Sequence, residues 1–372
     1  MRRIQNYKPY IWTRDDWPRF RWDSVKLLSP LAEVYKFMGE LIGQMSMLGF
    51  DEKNVAELEA LTKELLSSSE IEGISLNADS VRSSVARRLG MEIDPLVTDH
   101  YVEGLTDVMM DAVQNSSEPL TAERIFGWHA ALFPYGRSGR YRITVADWRK
   151  GEEPMQVVSG PFGKERVHYE APPSASVPAE MERFIDWVNT SDVDNVLKSG
   201  IAHLWFLSVH PFDDGNGRIA RTIADMLLSR AAGSRNRYFS VSSEILREKS
   251  HYYEILEDTQ KGDLDVTDWL LWYLRCIQSA LGNSRSVIEQ TLRKALYWER
   301  FREVEINERQ RKVINRLWDG FEGKMTTVKW ARLCKTSRDT ALRDIRDLLE
   351  KGLLTVSPEG GRSTSYMLPE QS

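Results

Sequence analysis

The sequence predicts a mainly α-helical protein: a helical bundle broken by one β-hairpin, followed by a small winged helix-turn-helix domain. Three observations predict it. Apolar residues recur at helical spacing over most of 28–303. The stretch 141–173 departs from that spacing, and MQVVSG and ERVHYEAPP read as two short strands around GPFGK. Beyond 306 the pattern becomes three helices and then two strands around a glycine-rich turn.

Residues 1–25 are aromatic and charged, with Tyr7, Tyr10, Trp12, Trp17, Phe20 and Trp22, and read as a strand or an irregular arm packed on the body. The segment 28–47 reads as a helix with Ser29 as cap and Pro30 at its first position. Helices follow at 53–70, where Gly73 marks the stop, then at 77–89, 95–116 and 120–133. Thr121 caps the last of these. PYGRSGRYR is a glycine- and arginine-rich loop. After the hairpin, helices are expected at 176–190, 195–209, 217–232, 242–261, 265–282 and 284–303. In the tail, NERQRKVINRLWD, TTVKWARLC and SRDTALRDIRDLLEKG are three helices, the third capped by Ser337 and closed by Gly352.

With 372 residues, 41% of them hydrophobic, the chain has length for two or three domains. The net charge of −5 excludes an overall basic nucleic-acid binder, yet residues 307–372 carry 13 Lys/Arg against 9 Asp/Glu, a mildly basic tail on an acidic body. Two distant cysteines, Cys276 and Cys334, speak against a disulfide framework or a Cys-based zinc site. No stretch approaches ~20 apolar residues, so no membrane span is expected, and the N-terminus lacks an apolar signal segment. A cytoplasmic protein is expected.

One string concentrates chemistry: HPFDDGNGR, 210–218, lying between two helices. Its Gly215-Asn216-Gly217 turn opens the second helix, where unpaired N–H groups and the helix dipole attract anions. Glycines let a phosphate approach the backbone, and Asn216 adds a side-chain donor. Arg218 and Arg221 project from one face and suit a polyphosphate. Asp214 beside them is a carboxylate of the kind that binds Mg²⁺ shared with phosphates. His210, kept out of helix by Pro211, is an imidazole able to take a proton from a hydroxyl. Phe212 is expected as an apolar anchor beneath. A calcium loop is excluded by the spacing.

HPFDDGNGRIAR matches the signature HPFx[DE]GNGRxxR, and the sequence resembles a Fic-domain protein adenylyltransferase over roughly 65–285. The resemblance implies a Fic helical bundle with a β-hairpin flap. It implies transfer of AMP from ATP to a Ser, Thr or Tyr hydroxyl of a target protein, with release of pyrophosphate. His210 would be the general base, Asp214 the Mg²⁺ ligand, Gly215, Asn216 and Gly217 the anion cradle, and Arg218 and Arg221 the holders of the distal phosphates. The hairpin at 156–173 resembles the family's flap, so Val157, Val158, Ser159 and Gly160 would line the nucleotide. Tyr252, Tyr253 and Gln260 map to adenine-side contacts, with plain core packing as the alternative for the tyrosines. SSSEIEG, 67–73, fits the inhibitory pattern [ST]xxxE[GN] as Ser68, Glu72 and Gly73. A carboxylate reaching Arg221 would take the arginine meant for the γ-phosphate.

The expected domains are 1–64, the aromatic arm and first helices; 65–285, the catalytic core with the inhibitory helix at its start; 286–306, a linker helix; and 307–372, the winged helix. The third tail helix offers Arg338, Arg343 and Arg346 but also Asp339, Asp344 and Asp347, so it serves DNA, protein contact or a homodimer. Three functions stand open: an autoinhibited adenylyltransferase; a DNA-binding regulator with a nucleotide-sensing Fic fold; and an enzyme that removes AMP or transfers another group. No membrane partner is expected.

Overall fold

The computed structural model describes residues 10–91, 99–160, 164, 166–318, 321, 323–358 and 364–369. Tyr7, the centre of the GPFGK turn and most of the tail's glycine turn lie outside them. The chain forms two compact units, Met1–Arg285 and Ser286–Ser372.

The first unit is built around α7. Its helices are α1 (Ser24–Ser46), α2 (Phe50–Ile71), α3 (Ala78–Arg88), α4 (His100–Gln114), α5 (Ala122–Leu132), α6 (Val177–Thr190), α7 (Asn195–Val209), α8 (Asn216–Ala232), α9 (Val241–Arg247), α10 (Lys249–Gln260) and the start of α11 (Thr267–Arg300). Two antiparallel hairpins interrupt them: β1 (Arg137–Ser138) with β2 (Tyr141–Arg142), and β3 (Gln156–Ser159) with β4 (Arg166–Glu170). Every residue from Val196 to Val209 is buried, as the all-round apolar sequence of α7 requires. It packs most extensively on α8, and α6 lies on its flank. The loop joining α7 to α8 is therefore set in the best-packed part of the unit.

The N-terminal arm is irregular. A 3₁₀ turn at Ile11–Thr13 and a single bridge between Arg21 and Asp265 are its regular features. Its tryptophans pin it: Trp12 Nε1–H donates to Glu170 O at 2.8 Å and Trp17 Nε1–H to Glu180 at 2.9 Å. Three expectations need correction. Helix α1 starts at Ser24, where Asp23 accepts from the N–H groups of Val25 and Lys26, so Ser29 is no cap and Pro30 lies inside the helix. Leu27 is buried and extends the packed stripe one turn earlier. The expected helix 242–261 is two, parted at Glu248. The two expected at 265–282 and 284–303 are the single α11; nothing lies within 4 Å of a side chain built at Gly282, which neither caps nor breaks it.

Helix α2 buries two carboxylates beside Leu58, Leu61 and Leu65. Buried Glu57 accepts from Asn236 Nδ2–H at 2.5 Å and from Arg237 N–H at 3.3 Å. Buried Glu64 accepts from Ser240 Oγ–H at 2.8 Å and Ser242 N–H at 3.1 Å. These bonds offset part of the cost of burying carboxylates: Glu64 Oε1 has no hydrogen-bond partner among the described residues, and burial still raises the Glu57 pKa.

The second unit holds α12 (Glu308–Trp318), α13 (Thr327–Leu333) and α14 (Arg338–Glu350). A three-stranded antiparallel sheet ordered β5 (Met325–Thr326), β7 (Ser365–Met367), β6 (Thr355–Val356) joins them. Strand β5 was not expected. Val313, Ile314, Trp330, Ile345 and Leu348 form the core. Ser337 caps α14, and Gly352 takes the left-handed backbone just past its end. Among the described residues no helix is long and apolar enough to cross a membrane. Both cysteines are free.

Candidate active site

The loop from α7 to α8 is closed by its own residues. Asn216 accepts from Phe212 N–H at 3.0 Å and donates to Phe212 O at 2.8 Å. These two bonds hold the loop closed on itself and use one of the two N–H donors of the amide. Phe212 is fully buried, stacked on the His129 ring with centroids 4.0 Å apart. It is the anchor the sequence suggests. Gly215 has φ 84°, and a Cβ there would lie 2.8 Å from the Phe133 ring, so both backbone and space call for glycine.

His210 has φ 50° and ψ 59°, left-handed backbone that costs a non-glycine residue about 1–2 kcal/mol. Its Nδ1 lies 3.3 Å from Leu207 O. Burial pushes the imidazole pKa down to about 4; the Leu207 contact opposes this, and the Arg149 cation adds to it.

The two acids of the string part company. Asp213 accepts from Thr144 N–H at 2.8 Å and holds the loop. Asp214 accepts from Ser138 Oγ–H and from Gly215 N–H, while its carbonyl meets His129 Nε2 at 3.1 Å. His129 Nδ1 accepts from Ala146 N–H, which assigns the ring proton to Nε2. The Asp214 side chain remains 41% exposed, a hard-oxygen donor open to a cation. Among the described residues no group of three or more His, Cys, Asp or Glu is placed to hold a metal by itself.

Arg218 and Arg221 are buried on the first turns of α8. Arg218 donates to Tyr101 Oη at 2.6 Å, lies over the Phe133 ring and stands 3.6 Å from Asp214. Arg221 donates from Nε to Ser68 Oγ at 2.9 Å, and from Nη2 to Ser68 O and Glu72 Oε1, each at 2.8 Å. Arg218 Nε and Arg221 Nη1 are buried without a hydrogen-bond partner. Two such donors at a helix N-terminus fit an anion.

Glu72 arrives there by design of the helix end. Ile74 N–H donates to Ser69 O and Gly73 N–H to Glu70 O, a Schellman closure with Gly73 at φ 77°. Glu72 is the capping residue, turned onto α8. A Cβ on Gly217 would lie 2.1 Å from Glu72 Oε1, so the carboxylate rests on the glycine backbone of the first turn.

The adenine-side candidates lie around this cluster. Tyr252 is buried, 3.1 Å from His203 Nε2, its phenol beside Arg221 and raised in pKa by burial. Tyr253 donates to Ile71 O at 3.3 Å, and buried Gln260 to Ser208 Oγ at 3.3 Å. On the hairpin, Val157 is half-buried, while Val158, Ser159 and Gly160 are exposed. Ser159 Oγ lies 2.5 Å from His168 Nε2, and His168 Nδ1 2.6 Å from Glu257 on α10. Among the described residues no hydrogen bond joins Val157–Gly160 to 210–221. Thus His210, Asp214, Gly215, Gly217, Arg218 and Arg221 converge with Ser68 and Glu72, while the hairpin meets the end of α7 through Tyr169 of β4. The sequence reading missed Arg149, Tyr101 and His129, which sit in no local pattern, and Ser138, which sits in the PYGRSGRYR loop without a sign of its partner Asp214.

Two family models match the chain: "Domain of unknown function (DUF4172)" over residues 10–91 and "Fic/DOC family" over 119–228. The chain is similar to "Protein adenylyltransferase Fic" of Nematostella vectensis, 24% identical over 232 residues, covering 60% of this chain and 48% of that protein. It is 31% identical over 114 residues to the Drosophila willistoni protein of the same name, covering 29% and 22%. The chain thus spans less than half the length of these relatives. A Fic family protein from Desulfovibrio desulfuricans G20 has a similar fold, with TM-score 0.54 and 18% identity over 93% of this chain and 97% of that one.

Proposed function

From a chain that carries a Fic/DOC domain over residues 119–228, we propose an autoinhibited protein adenylyltransferase. ATP is the substrate, its phosphates held by the first turns of α8 with Arg218 and Arg221. His210 accepts the proton of a target Ser, Thr or Tyr hydroxyl, whose oxygen attacks the α-phosphorus; the bond to the bridging oxygen breaks and pyrophosphate leaves. Imidazole kept neutral by burial is in the right form for that step. Asp214 is the residue that would hold Mg²⁺, which when bound supplies charge to offset the phosphates. The hairpin supports target binding: among the described residues β3 pairs only with β4, so an extended segment could add to its open edge.

One observation carries the reading. The Glu72 carboxylate sits on Arg221 and on the Gly217 backbone, an internal anion seated at a helix N-terminus. A site that binds an intramolecular anion is an anion site, and it is one closed to a γ-phosphate while Glu72 stays. The test is incubation of Glu72→Gly with α-labelled ATP and a cell lysate, followed by mass spectrometry. AMP on protein hydroxyls, abolished by adding His210→Ala, supports the reading; no label on any protein refutes it.

A second reading concerns Ser286–Ser372, whose three helices and small sheet we take as a winged helix. Buried Asp344 accepts two bonds from Arg309, at 2.9 and 3.0 Å. Asp347 accepts from Gln310 at 2.7 Å and Lys351 at 2.8 Å. Of the alternating charges, Arg338, Arg343 and Arg346 remain exposed with Asp339. That imbalance favours phosphate contacts with duplex DNA over a neutral protein-contact face. A salt-dependent mobility shift lost in Arg343→Ala/Arg346→Ala supports it. No shift at low salt leaves the unit to protein contact.

A further inference from the structure

Where α7 runs out into the loop, four consecutive carbonyls are taken by two residues. Tyr169 Oη–H donates to Ser208 O at 2.7 Å. Arg149 takes the other three: Nη2–H to Val209 O at 3.4 Å, Nε–H to His210 O at 2.7 Å and its backbone N–H to Pro211 O at 2.8 Å. The same Nη2 donates to Pro172 O, just past the end of β4, the strand that holds Tyr169. Arg149 is buried, and no carboxylate lies within ion-pair distance of it among the described residues. A buried arginine whose hydrogen-bond partners are all carbonyls, with the Asp213 charge nearby, is a brace for the end of the helix supplied from elsewhere in the chain. Of the terminal α7 carbonyls it meets Val209 O, at 3.4 Å, and just beyond the helix it holds His210 O and Pro211 O, at the negative end of the helix dipole.

His210 needs such a device, because its left-handed backbone is one that L side chains avoid. We propose that Arg149 is a positioning residue for His210, locking its backbone and tying it to the foot of the β3–β4 hairpin. The inference rests on the reading of His210 as the base. The hairpin would place the target hydroxyl, and His210 must stand within hydrogen-bond reach of it. Arg149 puts both in one frame, since a single guanidinium touches the hairpin's exit and the carbonyl of the base. Lysine cannot replace it, as an ammonium lacks the planar fork that reaches Val209, His210 and Pro172 together. The charged groups that face the His210 ring are Arg149, Glu72 from the end of α2, and Asp214 of the loop.

The test uses the full chain carrying Glu72→Gly, with Arg149→Met or Arg149→Lys added. Arg149→Met should lower kcat for AMP transfer by about tenfold or more while KM for ATP stays within about twofold. The His210 ring, followed by NMR, should titrate at higher pH in Arg149→Met, which loses the cation, and not in Arg149→Lys, whose kcat still falls. Unchanged kcat in both variants, or KM for ATP rising in step with the loss, overturns the proposal. Should Arg149→Met fail to fold, Arg149→Lys carries the same kcat-against-KM comparison. If the Glu72→Gly parent transfers no AMP, the adenylyltransferase reading falls. His210 is then judged by its own signals: an unmoved titration and unmoved hydrogen exchange at 206–212 overturn the inference independently.

Discussion

Glu72 and Arg221, 149 positions apart in the chain, meet at 2.8 Å, with Ser68 closing the same guanidinium from a turn earlier. A charge-assisted contact of this kind is worth about 1.5–3 kcal/mol. Glu72→Gly should therefore shift the balance toward the open cradle by about tenfold to a hundredfold. Rates of label transfer from α-labelled ATP measure it directly, and equal rates in the two proteins would remove the inhibitory role.

Asn216 should matter to folding, whatever it adds to phosphate binding. Its removal leaves the buried N–H and C=O of Phe212 without partners, costing about 2 kcal/mol. In a unit of this size that lowers Tm by roughly 5 °C. Thermal unfolding of Asn216→Ala reads the effect; a Tm within a degree of the parent would contradict the loop geometry.

The pH dependence follows from burial. With the folded pKa near 4 rather than 6.5, His210 stays in its base form across neutral and mildly acid pH. The acid limb of kcat/KM for Glu72→Gly should lie well below 6.5, since Glu72 is one of the charges that raise the ring, and a limb at or above 6.5 would count against a buried base. Stability has the same sign. His203, pushed down to about 3 by burial and by Arg221, joins His210 in favouring the folded state above pH 6.5. That contribution is lost as pH falls through 4 and then 3.

Ser138 orients Asp214, the carboxylate of the 210–218 loop proposed to hold a cation. Ser138→Ala should weaken divalent binding by about tenfold. Mn²⁺ titration by electron paramagnetic resonance, with a non-hydrolysable ATP analogue present, reads this without any turnover. Unchanged Mn²⁺ affinity would mean Asp214 needs no such support.

What the sequence disclosed was local. His210 to Arg221 span twelve residues whose glycines mark a helix start, so base, carboxylate and arginines are legible together. Gly73 is legible too, because only a left-handed closure explains a glycine there. Side chains that arrive from far away are not. Arg149 reaches His210 from 61 positions off and Tyr101 reaches Arg218 from 117, and neither carries a spacing that betrays it. The structural part Asn216 plays was hidden for a related reason: its polarity was visible, while its partner Phe212 could be seen only once the loop had closed. Pro30 shows that a breaker yields to packing when an upstream cap and a buried stripe agree.

The carboxylates of α2 do unequal work along its length. Glu57 and Glu64 are moored in the interior, whereas Glu72 stands one residue beyond the last helical turn, its side chain 31% exposed. Disengaging it asks for the fraying of a single terminus, not for the departure of a helix. The proposed brake would thus ride on a fixed arm, and its release would belong among the cheapest motions the chain owns.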